Sequence, residues 1–233
     1  MAKMERRQSG FTLIEVAIVL IIVGLILGGV LKGQELITTA RVRNLIAQQD
    51  GIKTAFFGFE DRYRALPGDY SRASTNINCT MVCADGNGNG RIESITNGGS
   101  IDEQIAVWEH LSKSGFINGS YVYAPVPATT NSAAVNPYNA FMDLEYDRIY
   151  GDPNAAGYAT QALKHNLKTG NRIAVEILAE VDRKIDDGDP FLGSFMFSAQ
   201  GTATVGNCAV NGTPNTWNKT GGSGADCAGT SIF

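Results

Sequence analysis

From Phe11 to Leu31 the chain is apolar with one charge, Glu15, in 21 residues. An α-helix rising 1.5 Å per residue needs about 20 apolar residues to cross the hydrocarbon core. The segment therefore predicts a membrane span. Beyond it the pattern changes without a break. Leu45, Ile52, Phe56, Phe59 and Tyr63 recur at helical spacings, with Arg41, Arg43, Asp50, Lys53 and Asp61 mainly between them. That is an amphipathic helix with one buried stripe. No proline precedes Pro67, so the pattern predicts one helix over residues 11–63, about 80 Å long, stopped by Leu66-Pro67-Gly68-Asp69.

The remaining elements are shorter. Ser100-Ile101-Asp102-Glu103 reads as a capping box opening a helix over 101–114, with Ile105, Trp108 and Leu111 on its apolar face and Gly115 as the stop. Residues 140–150 partly alternate and predict a strand. Asp152-Pro153 suggests the cap of a short helix, Leu178, Val181 and Ile185 a further helix, and Phe195-Met196-Phe197 a buried strand. From Gly201 to Phe233 only Lys219 and Asp226 are charged, amid Gly, Thr, Asn and Ser, the composition of loops and short strands. The chain is thus α+β: a long N-terminal α-helix packed against a globular head with an antiparallel β-sheet and short helices.

Charge refines this picture. Nineteen Lys and Arg stand against 23 Asp and Glu, which argues against a nucleic-acid module, and no nucleic-acid site is evident. Lys3, Arg6 and Arg7 precede the span with Glu5 as the only acid, so the amino end stays cytoplasmic and the rest lies outside. A secretory signal places small residues after its apolar run; here Ser9 and Gly10 come before it. A cut there removes the basic leader and keeps the span.

RRQSG followed by FTLIEVAIVLIIVGLI resembles the leader and N-terminal segment of bacterial type IV pilins and type II secretion pseudopilins. The resemblance implies a leader of residues 1–10, cleavage between Gly10 and Phe11 by a prepilin peptidase, and methylation of the new Phe11 amine by the same processing system. It implies a helix over 11–63 with its span at 11–31, and an extracytoplasmic head over 64–233. Glu15 would pair with the Phe11 amine of a neighbouring subunit. A carboxylate inside an apolar span is costly, about 2.5 to 3.5 kcal/mol for a charge near the centre, and so tends to find a partner. The implied partners are other copies or related pilins in a helical filament and the inner-membrane assembly machinery. The implied location is the inner membrane before assembly, then a surface fibre or a periplasmic pseudopilus. The implied function is that of a structural subunit of a pilus or pilus-like fibre; a secretion pseudopilin and a non-polymerising adhesive module are the alternatives. Gly24 and Gly28 form a GxxxG that permits close helix approach. Lys32 stands where many pilins have proline. YRALPGD, the Asn/Gly loop, WEHL, PYNAF and RKIDDGDP extend a looser resemblance to larger pilin-like proteins.

Two groups of residues carry candidate chemistry in the head. Cys79, Cys83, Cys208 and Cys227 lie in an oxidising compartment on this reading, and their separations favour pairing 79 with 83 and 208 with 227, among three possible pairings. A zinc site is the alternative, but His110 and His165 lack ligand spacing. Asp85, Asn87 and Asn89 alternate with Gly before Gly90, as in the first half of an EF-hand-type calcium loop. Thr96 takes the twelfth position, so a further carboxylate must come from Glu93, or from Asp69, Asp102 or Glu103. An Asn-Gly turn without metal is the competing reading. Asp186, Asp187 and Asp189 offer a second oxygen site, against which stands the usual reading of an acidic turn before proline as a solvated cap. No cofactor is required, calcium being the one candidate. No G-x-S-x-G, Walker A or H-E-x-x-H motif occurs, so the sequence points away from an enzyme.

Overall fold

The computed structural model describes residues 12–79, 83–97, 101–125, 128–155, 161–220 and 226–233. One helix, α1, runs from Leu13 to Tyr63. The chain divides into two compact units, residues 1–40 and 41–233, and α1 crosses the division. In the second unit α1 buries Val42, Leu45, Gln49, Ile52, Ala55, Phe56 and Phe59, spaced as the sequence pattern requires. The helix ends before Pro67: Arg64 takes the left-handed conformation at φ 53° while its N–H still reaches the Glu60 carbonyl.

The second unit is α+β. After α1 come α2 (Ala73–Asn76), a 3₁₀ turn (Ile95–Asn97), α3 (Glu103–Lys113), β1 (Asp143–Asp147), β2 (Lys164–Lys168) and α4 (Val175–Ile185), followed by β3 (Phe195–Phe197), β4 (Ala209–Val210), β5 (Thr216–Trp217) and β6 (Gly229–Ile232). Four strands form an antiparallel sheet in the order β1-β2-β6-β3, and β4 pairs with β5 as a small second sheet. One sheet face aligns Leu144, Leu167, Ser231 and Phe195. Ile52, Phe56 and Phe59 of α1 share a core with Trp108, Leu111, Leu144 and Leu167. Val42 and Leu45 share the other with α4, Phe195, Phe197, Trp217 and the Cys208–Cys227 disulfide. Each helical turn of α1 in this unit therefore buries apolar area, about 25 cal/mol per Å².

The second sheet face is polar yet also covered. Lys168, fully buried, donates from Nζ to Glu145 and to Asp147 Oδ2 at 2.5 Å. Burial alone would pull its pKa down, but the two carboxylates outweigh that and hold it above the ordinary lysine value. Asn166 donates to Asp147 Oδ1 at 2.7 Å and accepts from Thr230 Oγ1 at 3.1 Å, linking β1, β2 and β6.

Two expected features differ. The capping box at 100–103 rests on Ser100, which lies outside the described residues; the helix opens later than expected, with Asp102 as N-cap making no side-chain capping bond and Glu103 as the first helical residue. Its carboxylate turns instead to the Asn87 and Glu93 amides, both at 3.0 Å. Asp152-Pro153 opens a turn, with Asp152 Oδ1 accepting the Asn154 N–H at 2.8 Å; residues 153–155 are not helical, and 156–160 lie outside the described residues. That short polar bond closes an Asx turn and competes with a helical start.

Candidate assembly helix and the stapled loop

Residues 13–40 of α1 form a helix whose apolar side chains are solvent-facing, Leu13 at 92% and Leu25 at 74% exposure. The 18-residue apolar window within it is not buried at all, and by length and composition it is long enough to cross a membrane. Around Gly24, Gly28, Gly29 and Gly33 no atom lies within 4 Å of a Cβ position, so these glycines present bare helix backbone. The helix passes through them unbroken, and just beyond Leu31 Lys32 pairs with Glu35 at 2.7 Å. At the start of α1, Thr12 and Glu15 bond reciprocally. Glu15 Oε2 accepts from Thr12 N at 2.7 Å and Thr12 Oγ1 at 2.8 Å, while Glu15 N donates to Thr12 Oγ1 at 3.3 Å. This T-x-x-E capping box satisfies orphan amides of the first turn. The sequence reading gives Glu15 a partner in a neighbouring chain, although the S/T-x-x-E spacing of a local cap is legible in TLIE. Gly10 and Phe11 lie outside the described residues.

The model of the prokaryotic N-terminal methylation motif matches residues 6–31. This chain carries the type IV prepilin and pseudopilin signature. The motif supports a type IV pilin-like or pseudopilin reading, and it implies processing by a prepilin peptidase and assembly into filaments. The apolar helix and the motif together fit membrane anchoring before assembly. The motif's family is structural rather than enzymatic. No curated protein and no solved structure matches the chain.

In the pilin-like head the LPGD turn and the Asn/Gly loop form one structure. Asp69 Oδ1 accepts the Asn89 N–H at 3.0 Å and Oδ2 the Gly90 N–H at 2.8 Å, while the Asp69 carbonyl accepts Gly88 N–H at 2.9 Å. Where the segments cross, a Cβ on Gly86 would lie 2.3 Å from the Asp69 carbonyl carbon, so only glycine fits. The side of α3 completes the staple. Glu103 holds the Asn87 and Glu93 amides, and Glu109 takes the Ala84 N–H at 2.9 Å and the Tyr123 N–H at 3.0 Å. His110 Nδ1 accepts the Gly68 N–H at 2.8 Å, which puts its proton on Nε2, 2.7 Å from the Ala84 carbonyl. Burial lowers the His110 pKa and keeps the ring neutral. Burial likewise pushes Glu103 up to about 7, against the pull of the Glu93 and Asn87 amides, with Asp69 and Glu93 adding to the rise.

The residues with calcium-loop spacing are placed as follows. Asp85 turns to α2, accepting from Ser74 N at 2.8 Å and Ser74 Oγ at 2.7 Å. Asn87 Oδ1 accepts Asn89 N–H at 2.9 Å and Asn89 Oδ1 accepts Arg91 N–H at 2.8 Å, two successive Asx turns. Asn89 Nδ2 donates to Glu93 Oε2 at 3.0 Å. The structure therefore brings Asn89 and Glu93 together and sends Asp85 elsewhere. These bonds form an Asn-Gly turn with Asp69 at its centre. Both disulfides, Cys79–Cys83 and Cys208–Cys227, are formed.

Proposed function

We propose that this protein is a structural subunit of a type IV pilus or pilus-like fibre. The observation that carries the reading is the Leu13–Leu31 stretch, apolar on every side and unburied, on a helix that continues into the head. A helix apolar all round needs lipid before assembly and other such helices afterwards. Gly24 and Gly28 permit close backbone approach in such a bundle. Processing at Gly10–Phe11 by a prepilin peptidase and methyltransferase frees an amine next to Thr12. Glu15 then has two tasks: Oε2 caps its own helix, and the carboxylate draws in the Phe11 amine of the neighbouring subunit, fixing register. Inner-membrane assembly machinery supplies the lift, and the head lies outside the core of the fibre at the cell surface.

Glu15→Leu removes a charge from the span, so membrane insertion proceeds at least as well, and subunit capture falls by ten-fold or more. Electron microscopy and blotting of sheared surface fibres, from cells with and without the protein and with the variant at matched levels, test the reading. Fibres containing the protein, lost with Glu15→Leu, are expected. Undiminished fibres in that variant refute the role of Glu15. Confinement to the envelope with loss of protein secretion replaces the pilus by a secretion pseudopilus.

A further inference from the structure

An Asn-Gly step can modify itself, because glycine hinders its own N–H least as it approaches the asparagine side chain. The chain has five such steps, at Asn87, Asn89, Asn97, Asn118 and Asn211. Gly98, which follows Asn97, lies outside the described residues. In each step the attacking atom is the glycine amide nitrogen and the target is the asparagine Cγ. The fold treats the four described steps differently.

Three of them have the glycine N–H engaged. Gly88 N–H donates to the Asp69 carbonyl at 2.9 Å and Gly90 N–H to Asp69 Oδ2 at 2.8 Å. The side-chain oxygens of Asn87 and Asn89 are held in turn by the Asn89 and Arg91 N–H groups, at 2.9 and 2.8 Å. The Asp69 carboxylate also disfavours loss of the Gly90 proton, which attack requires. At the third step Gly212 N–H donates to Asn215 Oδ1 at 3.2 Å, and Asn211 Nδ2 to Asp152 Oδ2 at 2.5 Å.

Asn118 and Gly119 stand apart. Both are exposed, five and six residues past the end of α3 at Lys113. Among the described residues no hydrogen bond holds the Asn118 side chain or the Gly119 N–H. Lys113 Nζ, bonded to Ser120 Oγ at 2.7 Å, sets a cation beside the turn and favours the amide anion. We propose that Asn118 is a site of spontaneous deamidation in the head, and that Asp69 shields the two Asn-Gly steps of the stapled loop from the same reaction.

The Gly119 N–H gives its proton to water or hydroxide, and its nitrogen bonds to Asn118 Cγ. The bond from Cγ to the side-chain nitrogen breaks and ammonia leaves. Water then opens the cyclic imide, giving aspartate where the new bond breaks and isoaspartate where the original peptide bond breaks. Either product adds a carboxylate, taking the formal net charge from −4 to −5. It arises on the cleft lined by Gln48, Trp108, Phe116 and Tyr121. Isoaspartate also lengthens the main chain just ahead of Tyr121, whose N–H donates to Ser112 Oγ at 3.2 Å.

The full chain in detergent micelles is aged at mildly alkaline pH, in parallel with a sample unfolded in guanidinium with its disulfides reduced. Peptide mapping by mass spectrometry reads each conversion as a gain of one mass unit. In the folded chain Asn118 should convert about ten-fold or more ahead of Asn87, Asn89 and Asn211, whose glycine N–H must first leave its acceptor. In guanidinium that ranking should collapse. Asp69→Asn withdraws the charge and one acceptor oxygen, and should release Asn89 toward the rate of Asn118. Where that variant does not fold, the folded and unfolded parent samples decide. Any of the three engaged steps converting as fast as Asn118 in the folded parent, or the same ranking in guanidinium, overturns the proposal. So does a folded Asn118 that stays intact while its unfolded counterpart converts, and an Asn89 that stays protected in folded Asp69→Asn.

Discussion

Breaking the Cys208–Cys227 bridge removes a cross-link spanning 19 positions, and the loop it closes contains β4 and β5. Chain-entropy arithmetic for a closed loop of that length gives about 3 kcal/mol at 25 °C. The Cys79–Cys83 bridge, spanning 4 positions, gives about 2 kcal/mol. Both bridges reach into a core, Cys83 into the first and Cys208 and Cys227 into the second, so loop length sets them apart. Cys208 and Cys227 lie in the core beside Phe195, Phe197 and Trp217, and Cys227 exchanges backbone hydrogen bonds with Ile173 immediately before β6. The experiment is guanidinium unfolding of the full chain in detergent, followed by tryptophan emission, for the oxidised parent, the reduced parent, Cys208→Ala/Cys227→Ala and Cys79→Ala/Cys83→Ala. With an m-value of about 5 kcal/mol/M, 3 kcal/mol moves the midpoint by about 0.6 M. Reduction leaves nearly every atom in place, so it isolates the cross-link from the cavity that alanine adds. A Cys208→Ala/Cys227→Ala midpoint within about 0.1 M of the parent, or a larger loss from the shorter bridge, would refute the reasoning.

Three further outcomes are expected. Glu103 and Asp182 rise to about 7 from 4.5 and 3.8; raised acids stabilise below their unfolded values and lose that contribution as pH rises through the folded ones. The buried His110 and half-buried His165 are lowered by desolvation, His165 to about 4, and act oppositely, losing stability as pH falls through about 6.5. Melting should therefore peak near about pH 6 and fall toward about pH 8, and Glu103→Gln should flatten the alkaline limb; a melting temperature still rising between pH 6 and 8 contradicts this. Gly86→Ala forces a methyl against the Asp69 backbone and should cost about 2 kcal/mol or more, read by the same unfolding assay, whereas Gly90→Ala meets no atom within 4 Å and pays only for its positive φ of 82°. Mass spectrometry of assembled protein should find N-methylated Phe11 as the first residue and Gly10→Val held as precursor; an intact leader on the functional form rejects the processing site.

Long-period patterns were legible in the sequence. The α1 stripe, α3, α4, β1 and the Phe195–Phe197 strand follow from apolar spacing, and the N-terminal motif from its own residues. Polar strands were not legible. β2 reads Lys-His-Asn-Leu-Lys because from Asn166 onward both its faces are buried and one is filled by an ion-pair network rather than by aliphatic side chains. β6 reads Gly-Thr-Ser-Ile for a related reason. It needs small residues between β2 and β3, where a Cβ on Gly229 would strike the Phe195 ring at 2.4 Å. The acidic motifs show the same limit. The Asp85 loop has the spacing of a cation site, yet its amides and carboxylates bond one another; the turn after α4 likewise gives its carboxylates to the Asp189, Ser194 and Phe195 amides.

The strand order β1-β2-β6-β3 has a consequence in time. Synthesis delivers β1, β2 and β3 before β6, so for the last stage of chain emergence β2 and β3 each present an unpaired edge facing the gap that β6 will fill. Non-local pairing of that kind is slow, and open edges accept foreign strands. Cys208 leaves the ribosome ahead of β6 and Cys227 directly before it. The bridge can therefore lock the closing strand only once that strand is in register, and subunits that failed to close would enter assembly with a vacant slot in the sheet.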